Sequence, residues 1–274
     1  MNVLSASAFA RRMDVLDIIM KAKSGHIGGD FSVMDILCVL YYRHLRVSPE
    51  SFMTPSHDRF ILSKGHTVDA LYTVLADRGF FPKTELMSFY QKGSHYIGHP
   101  SRNVNGIEMN TGSLGHGLSI AVGMALGQKM DTSDFRTYVV LGDGELAEGS
   151  VWEGAMAAGH YKLDNLTAVV DRNGLQISGS TETIMTAENM RFRWEAFGWH
   201  VIDVNGNDTD DLDHAFQQAK AIKCKPTVLI AKTIKGCGVS FMENKAGWHH
   251  RIPTQQEYEQ AMSELRNRMV MAGG

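Results

Sequence analysis

Asp143 and Asn173 are the residues from which chemistry can first be read in this chain. Asp143 lies in Gly142-Asp143-Gly144, directly after the β-branched run 137–141, and Asn173 follows a second such run, 166–171. Short apolar runs of this kind read as buried strands. The segment between them, 148–160, reads as a helix. A strand–helix–strand unit puts polar groups at the carboxyl ends of both strands, where open parallel sheets bind ligands. There Asp143 offers a hard carboxylate oxygen to a divalent cation and Asn173 an amide oxygen beside it. Gly144 leaves room for a diphosphate, and phosphate and water oxygens would complete an octahedral Mg²⁺ shell. Gly-Asp-Gly alone is also an ordinary turn. The asparagine, with 28 residues between it and Gly144, favours the ligand reading.

Histidine is the second chemical signal. The chain has 12, several beside glycine: Gly25-His26, Gly65-His66, Gly98-His99 and His116-Gly117. A loop histidine next to glycine is less apt to be core filler than one on an apolar helix face. Its titration near neutral pH suits proton transfer and hydrogen bonding to hydroxyls.

The rest of the chain must position these groups. A helix is expected over 5–22, with Val15, Ile18, Ile19 and Ala22 inward and Arg11, Arg12 and Asp14 facing water. Residues 23–29 break it. A second helix is expected from Ser32, with Ser32-x-x-Asp35 as a capping box. Strand 59–62 runs into Ser63-Lys64-Gly65-His66, and helix 67–78 follows. The stretch 80–113 lacks regular periodicity, and a long irregular segment in a compact domain points to function. Helix 118–128 should place Gly112-Ser113-Leu114 at its N-terminus, where free N–H groups suit a diphosphate. It is not a dinucleotide fingerprint, and no Walker A sequence occurs.

Beyond the central unit we expect helix 184–197, strand 200–204, helix 208–222, strand 226–231, a polar loop 242–252 and helix 254–268, with 269–274 frayed. Nearly all-apolar strands alternating with helices specify an α/β fold: a mostly parallel sheet with helices on both faces, in one domain spanning 1–274.

Composition excludes several classes. The apolar and charged fractions, 43% and 21%, are ordinary for a globular protein, and a net charge of −3 gives no reason to expect nucleic acid or an anionic membrane as partner. No apolar run reaches the length of a membrane span, and no signal peptide is legible. Cys38, Cys224 and Cys237 are too widely spaced for a redox or zinc motif. They read as reduced thiols, Cys38 and Cys224 as packing residues. The expected compartment is the cytoplasm.

The motifs now on the page resemble, in order, those of the transketolase family. They are Ser24-Gly25-His26, Ser63-Lys64-Gly65-His66, Gly98-His99-Pro100, Gly112 to Gly117, Gly142-Asp143-Gly144 with Glu148 and Glu153, Asp171-x-Asn173, Lys232 to Gly238, and Trp248-His249. The resemblance covers nearly the whole chain and implies a thiamine diphosphate-binding fold of the diphosphate-binding (PP) type. It implies that Asp143, Asn173 and the Leu175 carbonyl hold Mg²⁺ (Ca²⁺ or Mn²⁺ as substitutes). Gly112, Ser113, Leu114 and Gly144 would approach the cofactor by backbone, with Lys64 and Lys235 offsetting diphosphate charge. His26, His66, His99 and His249 would act on substrate hydroxyls, His66 and His249 also touching cofactor. Glu148 and Glu153 would lie at a subunit interface.

Two departures from the family pattern are His116, where glutamine is common, and Ser101, where glutamate is common. Transketolases continue into a domain that supplies the glutamate activating the cofactor, and no residue here takes that role. The resemblance therefore implies the N-terminal subunit of a split transketolase. Such a subunit would pair with a C-terminal chain in an α2β2 assembly and move a two-carbon ketol unit between sugar phosphates, with xylulose 5-phosphate or an unusual branched ketose phosphate as donor. The α subunit of a 2-oxo acid dehydrogenase, and a non-catalytic diphosphate-binding module, remain as alternatives.

Overall fold

The computed structural model describes residues 2–186 and 189–273. α1 (Val3–Ala22) starts at Asn2, whose side chain accepts from Ser5 N, and stops at Lys23, in the left-handed conformation. α2 (Ile27–Val39) runs on into a π-helical turn, Leu40–His44. α3 (Pro49–Phe52), β1 (Arg59–Leu62) and α4 (Val68–Asp77) follow, then the long irregular segment, which ends at α5 (Gly117–Met130). The central unit is β2 (Thr137–Gly142), α6 (Gly149–His160) and β3 (Leu166–Arg172). A small antiparallel hairpin, β4 (Leu175–Gln176) and β5 (Gly179–Ser180), comes next. The chain closes with α7 (Thr181–Ile184), α8 (Met190–Ala196), β6 (His200–Asn205), α9 (Thr209–Ala221), β7 (Thr227–Lys232) and α10 (Gln255–Gly273).

The five long strands form one parallel sheet in the order β1-β2-β3-β7-β6. Successive side chains point to opposite faces. Tyr138, Val140, Val169 and Leu229 enter the core shared with α1, α2, α4, α9 and α10. Val139, Leu141, Val170 and Ile230 enter the core shared with α5, α6 and α8. With both faces covered, the strands must be apolar throughout, which is why they read as continuous runs.

Several expectations are corrected. Arg12 does not face water: it is fully buried, donating to the Phe31 carbonyl at 2.8 Å and pairing with Asp35. α1 packs against α2, α4 and α10, so its polar stripe is covered too. α2 begins at Ile27, and Ser32 lies inside it rather than capping it. The expected helix 184–197 is split into α7 and α8, because Met185 is extended; residues 187 and 188 lie outside the described residues. α10 continues to Gly273 where fraying was expected, and Asn2 N donates to the Ala272 carbonyl. Residue 274 is outside the described residues. Cys224 is exposed rather than packed, whereas Cys38 and Cys237 are buried.

Candidate functional site

The carboxyl ends of neighbouring strands deliver most of the site. β1 leads into Lys64 and His66, β2 into Asp143 and Glu145, β3 into Asn173, and β7 into Lys235. His26 arrives at the start of α2, and His249 follows the 3₁₀ turn Ala246–Trp248. Together they border a cleft of about 360 Å³, with Gly112, Leu114, Gly144 and Leu175 also in its wall.

Asp171 is the hub beneath this cleft. It has no exposed surface, and it accepts hydrogen bonds from Lys64 Nζ, from Ser32 Oγ at 2.6 Å and from Thr233 Oγ1. One carboxylate thus ties α2 and the ends of β1 and β7 to β3. It also gives the buried Lys64 its counter-charge, so Lys64 is neither a surface lysine nor an uncommitted cation.

Asp143 is nearly buried. Its Oδ1 accepts from Gly144 N at 2.9 Å and its Oδ2 from Gly174 N at 2.6 Å. Burial, and next the charge of Asp171, push its carboxyl up to about 6. Asn173 donates Nδ2 to Ser32 Oγ at 3.3 Å, and its Oδ1 accepts from Leu175 N at 3.1 Å. Ser32 and the Leu175 N–H together fix which way the amide points. Among the described residues, no group of three or more His, Cys, Asp or Glu side chains is arranged to hold a metal. The donors here are instead one carboxylate, one amide oxygen and a main-chain carbonyl in the same cleft. That set suits a hard cation that takes the rest of its shell from phosphate and water, and a negative ligand suits the cations beside it.

Lys235 is one of those cations. It is 1% exposed, has no carboxylate partner among the described residues, and is pulled down to about 8 by burial and by the charge of Lys64. Its Nζ is 3.1 Å from His249 Nδ1.

Three predicted histidines form a cluster. His66 stacks on His249 with ring centroids 5.4 Å apart, and His26 meets His66 edge-on at 5.2 Å. His250, which was not predicted, meets His26 edge-on at 4.6 Å. Burial first, and then neighbouring positive groups, lower His26 to about 4 and His249 to about 3, and hold His66 well below its usual value. All three are neutral at pH 7. His99 stands apart, exposed at the rim against Gly112. Gly112 has φ +142°, and a Cβ there would come within 2.7 Å of the His99 ring, so only glycine fits.

The expected diphosphate cradle differs in detail. α5 begins at Gly117, so Gly112-Ser113-Leu114 lies upstream of the helix rather than on its first free N–H groups. Ser113 does not line the cleft; it borders a neighbouring hollow with Thr111 and His116. The segment is held by Glu145, whose Oε1 accepts from Gly115 N at 2.8 Å and from Ser63 Oγ, and whose Oε2 accepts from Gly142 N at 3.0 Å. Sequence reasoning missed Glu145. Its only signal was an acidic residue one step past Gly144, in a stretch too apolar to leave it in water. The roles of Ser32 and Asp171 were equally hidden, because their partners are remote in sequence.

Comparison with known proteins places this geometry. Residues 4–267 match the family described as transketolase, thiamine diphosphate binding domain. The chain is 48% identical to one of the subunits of the apulose-4-phosphate transketolase of Phocaeicola vulgatus, over 98% of this chain and 95% of that protein. It is 42% identical to the 6-deoxy-6-sulfo-D-fructose transketolase subunit SqwG of a Clostridium species, over 91% of each. Human transketolase is 39% identical over 97% of this chain but only 42% of its own length. The crystal structure of Campylobacter jejuni transketolase superposes with a TM-score of 0.90 at 30% identity, covering 99% of this chain and 46% of that one. The chain therefore spans less than half the length of these longer transketolases. With its parallel sheet, its strand-end cleft and this similarity along nearly its whole length, the chain belongs to the transketolase family, whose thiamine diphosphate-binding domain it comprises.

Proposed function

We propose that this chain is one subunit of a two-chain transketolase. It would hold the diphosphate end of thiamine diphosphate with Mg²⁺ and, with a C-terminal partner in an α2β2 assembly, move a two-carbon ketol unit from a ketose phosphate to an aldose phosphate. The observation that carries this reading is the convergence of three neutral histidines with Asp143, Asn173 and Lys235 in one cleft.

In this reading the Asp143 carboxylate, Asn173 Oδ1 and the Leu175 carbonyl hold the cation. Gly112, Leu114 and Gly144 present backbone to the cofactor, and Lys235 offsets diphosphate charge. Ser113, outside the cleft wall, contributes at most through its main chain. When bound, thiamine diphosphate supplies the nucleophilic carbon and electron sink that carry the two-carbon unit. The protein's part is to bind, orient and move protons. His26 and His66, kept neutral by burial, present ring nitrogens that accept a proton from a substrate hydroxyl or return one, while His249, whose Nδ1 is taken by Lys235 Nζ, presents its Nε2–H as a donor. His26 Nδ1 is buried and has no hydrogen-bond partner among the described residues. His99 at the rim meets the hydroxyls of the entering sugar.

The partner subunit is inferred from the two relatives matched over nearly their full length, both named as transketolase subunits. Their names, one a ketose phosphate and the other a sulfonated ketose, also support an unusual anionic ketose as donor here, the phosphate resting on the first. Exposed Glu148, Glu153 and Met156, at the start and along the open side of α6, are assigned to the subunit interface. Three free cysteines fit a reducing cytoplasm.

The test is reconstitution with the subunit encoded beside it, in the presence of thiamine diphosphate and Mg²⁺. Ketol transfer from a ketose phosphate or β-hydroxypyruvate is expected only from the mixture. Full turnover by this chain alone would refute the two-chain reading. Turnover of branched 2-oxo acids only would favour a 2-oxo acid dehydrogenase subunit.

A further inference from the structure

Two aspartates that the transfer chemistry does not use lie directly behind the histidines. Asp30 is in the first turn of α2 and Asp69 in the first turn of α4, and neither has exposed surface. These helices begin just after His26 and His66 respectively. Each carboxyl is bonded to the other's helix start: Asp69 Oδ2 accepts from His26 N at 3.4 Å, and Asp30 Oδ1 accepts from Ala70 N at 3.2 Å. The Gly25 backbone closes over Asp69 so tightly that a Cβ there would come within 2.6 Å of Oδ2.

The two remaining oxygens, Asp30 Oδ2 and Asp69 Oδ1, are buried and meet no N–H or O–H donor among the described residues. Each carboxyl lies against the start of the other's helix where α2 packs on α4, which brings the two together with no donor between them. Two neighbouring carboxylates without exposed surface, each with one oxygen that no donor reaches, cannot both keep their charge, so the pair must carry a proton. Burial raises both carboxyls, and the charge of Asp69 raises Asp30 further. The groups facing the pair are Lys64 and Lys235 from the cleft, the His26 loop, and Tyr72 and Tyr90. The one remaining negative charge sits where two helix N-termini meet, an environment that favours an anion.

We propose that Asp30 and Asp69 are a proton-sharing pair that clamps the start of α2 to the start of α4 and thereby positions His26 against His66. They are positioning residues, touching neither substrate nor cofactor. Only the effect on turnover rests on the transketolase reading; the clamp itself does not.

The first measurement is the thermal midpoint of this chain alone against pH. A carboxyl raised by folding stabilises at low pH, and that contribution is lost as pH rises through its folded value. Asp30→Asn puts a permanent amide hydrogen where the pair holds its proton, so the alkaline decline of the midpoint should flatten. An undiminished decline overturns proton sharing. The second measurement is the ring carbon–proton NMR signals of His26 and His66 in the same chain, identified by His26→Gln and His66→Gln. Asp69→Ala should shift both, and Asp69→Asn should restore them. Unmoved signals overturn the positioning role. If Asp69→Ala does not fold, Asp69→Leu and the near-isosteric Asp69→Asn give the comparison, and a fold rescued by Asn with both signals shifted from wild type also overturns positioning. In the reconstituted enzyme, Asp69→Ala should lower kcat by about tenfold with KM little changed, and Asp69→Asn should recover most of it. No ketol transfer by the wild-type mixture would sink the functional reading while leaving the first two measurements to judge the clamp.

Discussion

Lys235 Nζ lies 3.1 Å from Nδ1 of His249 and so joins the cationic end of the cleft to its histidine end. An ammonium can only donate, so His249 Nδ1 accepts and the ring hydrogen sits on Nε2. The contact holds the ring where it stacks on His66. It also gives Lys235 a polar neighbour without neutralising it, which leaves the charge free for an anion.

Lys235→Met keeps the apolar stem and removes that charge. Affinity for thiamine diphosphate is expected to fall about 10- to 100-fold, as for the loss of one charge-assisted hydrogen bond. Calorimetric titration with Mg²⁺ present measures it. Wild-type affinity should weaken as pH rises through about 8, where unliganded Lys235 gives up its proton. The methionine variant should lack that step. Equal affinities would remove Lys235 from the diphosphate site.

Asp143→Ala deletes the only carboxylate proposed to ligate the cation. Cofactor binding should lose its dependence on Mg²⁺, with affinity reduced by about 100-fold or more. A Mg²⁺ titration at constant cofactor decides this, and an unchanged dependence would contradict the metal assignment.

His26→Ala should lower kcat in the reconstituted enzyme by about 100-fold while changing cofactor affinity little, because a proton-handling group is lost but no diphosphate contact is. Steady-state kinetics paired with cofactor titration separates the two effects. Parallel losses would mean that His26 is structural.

Acid should destabilise the chain through the same histidines. Folding lowers His26 to about 4 and His249 to about 3, below the ordinary histidine value. Their contribution is present above about pH 6.5 and is lost as pH falls through the folded values, because the unfolded chain binds the protons first. Thermal midpoints between pH 7 and 4 should fall, less steeply in a His26→Gln, His249→Gln double variant. Parallel curves would refute the burial argument.

Glu145→Gln puts an amide N–H₂ against groups that are already donors: Gly115 N, Gly142 N and Ser63 Oγ. A stability loss of about 1–3 kcal/mol is expected, measured by urea unfolding. Stability equal to wild type would show that the pocket holds a protonated Glu145, able to donate as the amide does.

The strands were legible because a sheet covered on both faces needs continuous apolar runs, and 137–141 and 166–171 have them. Asp143 and Asn173 were legible because parallel sheets place ligands at strand carboxyl ends. Arg12 was misread, since periodicity along α1 says nothing about α2 lying over its polar stripe. Ser32 resembled a capping residue because Asp35 follows three positions later. Its Oγ instead bonds Asp171, 139 positions along the chain. The continuation of α10 could not be read locally either, since its end rests on Asn2 at the other terminus.

By itself, the sequence determined the parallel α/β architecture and which residue types stand at the strand ends, because both follow from local patterning of apolar and polar side chains. Only the tertiary structure decided the electrostatics: that Lys64 is neutralised by Asp171 and Lys235 is not, that three histidines are neutral, that Glu145 holds the loop to Gly115, and that Asp30 meets Asp69. Those outcomes depend on desolvation and on contacts between segments far apart in the chain, and neither is present until the sheet and its two helical layers have closed around them.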